Sequence, residues 1–172
     1  MFLGIHELER HPIAFDQVLG PGCIDFGEEM TQVATLEIHG SAELVKSDIR
    51  LRGSLRTAVE APCARCLEPT RRPVALDFDL FYSPIETISK EGEVEMETAG
   101  LDIGFYHGNG LLLEDVIQEQ VLLALPVKIT CRPDCAGLCP QCGQNRNLGQ
   151  CRCLPIPRDD RWSPLGKLKE LG

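Results

Sequence analysis

The sequence predicts an α+β fold, an antiparallel β-sheet or partial barrel packed by one long helix, with a cysteine-rich C-terminal extension and a short terminal helix. Three observations carry this reading. Apolar residues alternate with a period of two from Ala34 to Tyr82, one later run repeats at helical spacing until Pro126 stops it, and Gly, Pro, Asn and Cys dominate from Cys131 onward. The expected division is 1–126 for a β-rich domain with its closing helix and 127–172 for the extension, docked on a hairpin that carries Cys63 and Cys66.

The strands come first. Ile49, Leu51, Leu55, Val59 and Ala61 fall on one face of an extended chain while Arg50, Arg52, Arg56 and Glu60 fall on the other. Val74, Leu76, Phe78 and Leu80 then alternate with Asp77 and Asp79, so the two runs make an antiparallel pair with CARCLEPTRR at its tip. If both apolar sets face one core, parity sets Arg56 opposite Asp77 or Asp79. Ala34, Leu36 and Ile38 supply a neighbouring strand. The acidic stretch 83–98 lacks apolar periodicity and reads as a loop, followed by LDIGFY as a short strand. A helix is expected from about Leu111 to Leu125, with Leu113, Val116, Ile117, Gln120, Val121 and Ala124 at i, i+3, i+4 spacing on the face that closes the sheet. In the tail, Ser163 stands as an N-cap before Pro164, with Leu165 and Leu168 three apart, which predicts the terminal helix.

Eight of the nine cysteines fall into four close pairs: Cys63 and Cys66, Cys131 and Cys135, Cys139 and Cys142, Cys151 and Cys153. The compartment decides between disulfides and metal. The opening MFLGIHELERHP carries Glu7 and Glu9 with no apolar run long enough for a signal peptide, and no stretch approaches a membrane span. A cytoplasmic chain is expected, and there thiols stay reduced. Sets of four thiolates select zinc or an iron-sulfur centre, and zinc is the first reading, at two ions per chain. Cys139, Cys142, Cys151 and Cys153 are the natural local quartet, because GQNRNLGQ between them holds Gly143, Asn145, Asn147 and Gly149 to reverse the chain. Cys63, Cys66, Cys131 and Cys135 remain for the other, which would fasten the hairpin tip to the segment after the helix across 64 intervening residues. Cys135 and Cys139 are four apart, so the two sites should be neighbours. Cys23, isolated in a Gly-Pro-Gly-Cys turn, reads as a small buried hydrophobe.

Four-cysteine sites are closed and leave no position for water, so the expected role of the metal is structural. The competing chemistry is a redox-responsive thiol protein, with Cys63 and Cys66 exchanging disulfides and metal release exposing a binding surface. A hairpin loop with partner cysteines at hand favours metal. His6, His11, His39 and His107 are scattered, and neither a phosphate-binding glycine loop nor a serine nucleophile elbow is present, so no catalytic residue is assigned and no enzyme is expected.

A net charge of −9 argues against indiscriminate nucleic-acid binding, DNA included. The charge is segregated, however. Residues 43–73 hold seven basic against four acidic side chains and 127–172 hold eight against four, while 1–42 hold one against seven and 74–126 one against eleven. The two basic segments are the two that carry the paired cysteines. Arg146, Arg152, Arg158 and Arg161, with Trp162, surround a metal-held turn; RNA or partner contact and plain solvation both remain open for them. Arg50, Arg52 and Arg56 could meet phosphate, but the polar face of a strand with acidic neighbours accounts for them better.

CARCLEP after an alternating strand, a helix ending LLALPV, the tail CRPDCAGLCPQCGQNRNLGQCRC and the closing RWSPLGKL occur in one order that resembles the YceD-like family of bacterial large-subunit ribosomal RNA accumulation proteins. The likeness covers the chain from about residue 30 to its end. It departs at Arg146, before Asn147, where the family pattern has a hydrophobic residue. The resemblance implies a cytoplasmic, non-enzymatic factor for large-subunit ribosomal RNA accumulation, whose partner is a large-subunit precursor. It supplies no catalytic residue.

Overall fold

The computed structural model describes residues 1–85 and 103–154. In chain order the elements are β1 (Phe2–Gly4), α1 (Ile5–Leu8), β2 (Ile13–Leu19), β3 (Thr31–Gln32), β4 (Leu36–Val45), β5 (Asp48–Pro62), β6 (Pro69–Pro84), β7 (Ile103–Tyr106), β8 (Gly110–Leu112) and α2 (Leu113–Ala124). One sheet runs in the order β2-β4-β5-β6-β7, with β3 also paired to β5, and a second joins β1 to β8. The fold is mostly sheet with few helices. It is mixed as well as antiparallel, because β7 lies parallel to β6, with Phe81 opposite Ile103. No helix among the described residues is long and apolar enough to cross a membrane.

The alternation from residue 49 to 80 does build the central hairpin. Ile49, Leu51, Leu55 and Val59 are buried, as are Val74, Phe78 and Leu80, and they share one core with Val116, Ile117 and Val121 of α2; Ala61 is buried outside that cluster. The register differs from the parity expectation. Arg56 stands opposite Ala75, while Arg52 faces Asp79 and Ser54 faces Asp77. Parity fixes the face a side chain takes; the offset along the strand comes from the turn, and the turn that closes at Pro62 and Pro69 sets it.

On the outer face Arg50 donates Nε and Nη2 to the two carboxylate oxygens of Asp79 at 2.8 Å each, above the ring of Phe81. These bonds hold the Asp79 carboxyl below the usual carboxylate range. Arg52 approaches the same carboxylate at 3.4 Å, and Arg56 faces Glu37 across the β4–β5 pair. Arg50 and Arg52 are thus paired side chains of a strand face.

The long helix expected from Leu111 to Leu125 is shorter, Leu113–Ala124. Leu111 and Leu112 are taken by β8, whose partner strand β1 sets Leu112 opposite Phe2, so the helix starts only after that pairing ends. Leu125 is extended (φ −80°, ψ 142°), as the residue before a proline prefers. Ala124, expected on the packing face, is exposed. Most of the stretch expected as an acidic loop and all of the expected terminal helix lie outside the described residues; Ser83 and Pro84 belong to β6.

One row across four strands has no side chain at its centre. Phe15 of β2 pairs with Gly40 of β4, Gly40 with Gly53 of β5, and Gly53 with Phe78 of β6. The two buried rings lean inward over the glycines. A Cβ on Gly40 would come within 2.6 Å of the Phe15 ring, and one on Gly53 within 2.3 Å of the His39 carbonyl oxygen.

Candidate metal centres

Two turns of the same construction present the C-x2-C pairs. In the hairpin tip the Cys63 N–H donates to the Glu68 carbonyl (2.9 Å) and the Leu67 N–H to the Cys63 carbonyl (2.9 Å). In the tail the Cys139 N–H donates to the Gln144 carbonyl (2.8 Å) and the Gly143 N–H to the Cys139 carbonyl (2.9 Å). The residue after the second cysteine is left-handed in both, Leu67 at φ 62° and Gly143 at φ 73°. Glycine accepts that conformation freely, whereas a leucine there costs about 1 kcal/mol. The turn is therefore imposed on Leu67 by its surroundings.

The structure places the eight sulfurs in two groups. The Sγ atoms of Cys63, Cys66, Cys131 and Cys135 lie within 4.8 Å of one another, and those of Cys139, Cys142, Cys151 and Cys153 meet the same limit. Within the first, Cys63 and Cys135 sulfurs are 3.8 Å apart and Cys66 and Cys131 sulfurs 3.7 Å. A disulfide needs about 2.05 Å, and all the cysteines are free thiols. A tetrahedral ion with bonds of about 2.3 Å to sulfur has sulfur–sulfur edges of about 3.8 Å. The spacing fits one ion in each group, and a cluster of several irons would spread its ligands further. Each group could hold a metal.

The electrostatics of the sulfurs follow from their crowding. Burial pushes the Cys63 thiol up, but the N–H groups of Arg65, Cys131 and Cys66 aimed at its sulfur outweigh that and bring it down to about 6. At Cys139 the N–H groups of Cys142 and Gln141 bring the thiol down to about 6. The Asn147 side chain lowers Cys135. Their neighbours move the other way: burial and the sulfurs of Cys135, Cys66 and Cys63 raise Cys131 to about 12, and the sulfur of Cys142, burial and the sulfur of Cys139 raise Cys153 to about 12. Backbone donors prepare some thiolates in each group, and full ionisation of four needs a cation among them.

The tail reaches the hairpin through the backbone. Ala64 N–H donates to the Ile129 carbonyl (2.7 Å), Leu138 N–H to the Arg65 carbonyl (3.0 Å), and Cys131 N–H to the Cys63 sulfur (3.3 Å). Arg72 of β6 donates Nη2 to the Thr130 carbonyl. The first group is the more enclosed, with Cys63, Cys66 and Cys135 buried; in the second Cys139 is buried and Cys142 exposed. Asn147 belongs to the loop of the second group yet donates Nδ2 to the Cys135 sulfur of the first (3.3 Å), while its Oδ1 accepts from Ala136 N–H and Arg132 Nη2 at 2.8 Å.

Cys23 corrects the expectation of a buried residue: it is exposed, with Sγ donating to Gln32 Oε1 at 3.1 Å. The preceding Gly22 turns at φ 77°, which hands the buried position to Ile24. Cys23→Ala is expected to leave metal content unchanged, and loss of an ion on metal analysis of that variant would show that one quartet needs it. Of the basic residues singled out from sequence, Arg146 and Arg152 are exposed beside the second group, and Arg158, Arg161 and Trp162 lie outside the described residues. Asn147 and Arg65 were not legible as site residues, because their partners are set by the docking of tail on hairpin.

The model of the family described as large ribosomal RNA subunit accumulation protein YceD matches residues 51–169. An uncharacterized protein of Mycobacterium tuberculosis is 32% identical over 150 residues, covering 83% of this chain and 69% of its own. A chloroplastic large ribosomal RNA subunit accumulation protein YCED homolog of Arabidopsis thaliana is 27% identical, over 73% of this chain and 46% of its own, and one of Zea mays 26%, over 62% and 44%. No solved structure matches the chain significantly. With most of its length matched, both metal-capable cysteine groups included, the chain belongs to the YceD family of large ribosomal RNA subunit accumulation proteins.

Proposed function

We propose that this chain is a non-enzymatic cytoplasmic factor that supports large-subunit ribosomal RNA accumulation and subunit assembly, its shape held by two structural zinc ions. Cys63, Cys66, Cys131 and Cys135 bind one, and Cys139, Cys142, Cys151 and Cys153 the other. The observation that carries this reading is the pair of four-sulfur groups with single-ion spacing in a chain whose family is named for that RNA. The plant relatives carry the same name. Four thiolates complete a tetrahedron and leave no coordination position for a substrate or water, so zinc here supplies folding energy and no chemistry. The partner is a large-subunit precursor; neither DNA nor membrane is involved. The β-rich part, 1–126, acts as the base on which the 127–172 segment is presented.

Metal analysis of reduced protein should find two zinc ions per chain, since a structural site binds with on the order of 10 kcal/mol or more. One ion or none in undamaged protein would contradict the reading. Co-sedimentation with large-subunit precursors is its functional arm. If mild oxidation expels zinc and raises that association, the sites are redox switches; if it unfolds the tail and abolishes it, they are structural.

A further inference from the structure

Docking of the tail on the hairpin joins the two basic segments at one pole. Ladder bonds run from the Arg65 carbonyl to Leu138 N–H (3.0 Å) and from the Gly137 carbonyl to Arg146 N–H (2.9 Å), so Arg65 and Arg146 sit on successive hydrogen-bonded segments. Two such spacings put their backbones about 10 Å apart. Arg132 is tied to the same loop through Asn147.

These arginines differ from those of the strand face in how they are held. Arg50 is fixed by a carboxylate that neutralises it. The Arg65 guanidinium is fixed by carbonyls instead, Nη1 donating to Cys135 O (3.0 Å) and Pro133 O (3.3 Å). Carbonyls orient a guanidinium without cancelling its charge, and the other donors of the fork stay available. Among the described residues no carboxylate lies within ion-pair distance of Arg65 or Arg146, and Arg132 meets only Asp134, at 3.5 Å. Two exposed arginines, Arg65 held by carbonyls and Arg146, keep positive charge that no described carboxylate pairs in a chain of net charge −9, a feature that counter-anions, not this fold, explain.

We infer that Arg65, Arg132 and Arg146 form a phosphate-binding surface across the two metal-held turns, and that its ligand is the backbone of RNA. The inference rests on the proposed function and adds the contact: the hairpin contributes Arg65 as a positioning-fixed cation, and the first four-cysteine group sets its distance from Arg146. Phosphate contacts of this kind orient a protein on RNA without reading sequence.

The test is a salt titration of binding between zinc-loaded full-length protein and a transcribed fragment of large-subunit ribosomal RNA. Arg65→Gln keeps an amide donor for the carbonyls, and Arg146→Gln removes a side chain that has no described partner. The slope of log affinity against log salt should fall by roughly one for each substitution and roughly two for the double variant, with Arg50→Gln unchanged. Zinc content should stay at the wild-type value; should Arg65→Gln lose metal, Arg146→Gln alone carries the result. An unchanged slope for the arginine variants, or an equal loss in Arg50→Gln, overturns the surface. Co-sedimentation run in parallel separates the two claims. Arginine-dependent RNA binding by a protein that ignores precursors upholds the surface and refutes the function; precursor association that survives the double variant with no loss of RNA slope assigns recognition to a protein partner and refutes the surface.

Discussion

Cys66→Ser is expected to release one zinc ion and to lower the melting temperature of the whole sheet, whereas Cys142→Ser releases one ion and leaves the sheet melting close to wild type. The asymmetry is topological. The first group joins the tip of β5–β6 to residues 131 and 135, so a metal there would close a loop of 64 intervening residues between Cys66 and Cys131. By the chain-entropy relation used for cross-links, a loop of that length is worth roughly 4 kcal/mol, or a shift of roughly 10 °C for a chain of this size. Three of its four sulfurs are buried beside the hairpin, so losing the metal also leaves the tip of the central strand pair uncovered. The second group closes only its own short loop, and of its four cysteines Cys139 alone is buried. Zinc analysis with thermal melts followed by far-ultraviolet circular dichroism would check this. Equal shifts for the two variants would mean that the first group is not the fastener between hairpin and tail.

Gly53→Ala should cost about 1–3 kcal/mol, the range of a substitution that overpacks a core and pushes on backbone. The added methyl would meet the His39 carbonyl oxygen at 2.3 Å and the Phe78 ring at 2.9 Å. A ring can rotate aside, but the carbonyl belongs to the β4–β5 ladder and cannot move without breaking it. Gly20→Ala, where nothing lies within 4 Å of the new atom, is the matched control and should be nearly neutral. Chemical denaturation of both variants tests the contrast; a Gly53→Ala midpoint at the control value would mean that strands β4 and β5 can separate without penalty.

The parts of this molecule written in local spacing were legible. Alternation from Ile49 to Leu80 reads out the central hairpin because each residue's face depends only on its own parity. The outer quartet likewise follows from a short loop, since GQNRNLGQ can bring Cys142 and Cys151 together with no help from elsewhere, and the other four cysteines are what remains. What failed depends on distant partners. The start of α2 is moved by β1, more than a hundred residues upstream, and the offset of Arg56 is set by the turn geometry at Leu67 and Glu68. Arg65 carries no local signal of its own, because the carbonyls that aim it belong to Pro133 and Cys135.

Asn147 couples the two quartets without fusing them. Its backbone is ordered by whatever closes the loop between Cys142 and Cys151, yet its amide serves the Cys135 sulfur in the other quartet. An ion that organises the outer loop therefore presents a donor that stabilises the inner thiolate, and by linkage the inner ion repays the outer with the same factor. Each quartet, once occupied, would raise the other's hold on its ion by the strength of that one hydrogen bond, so a cell short of metal would hold fewer half-filled chains than two independent sites would leave.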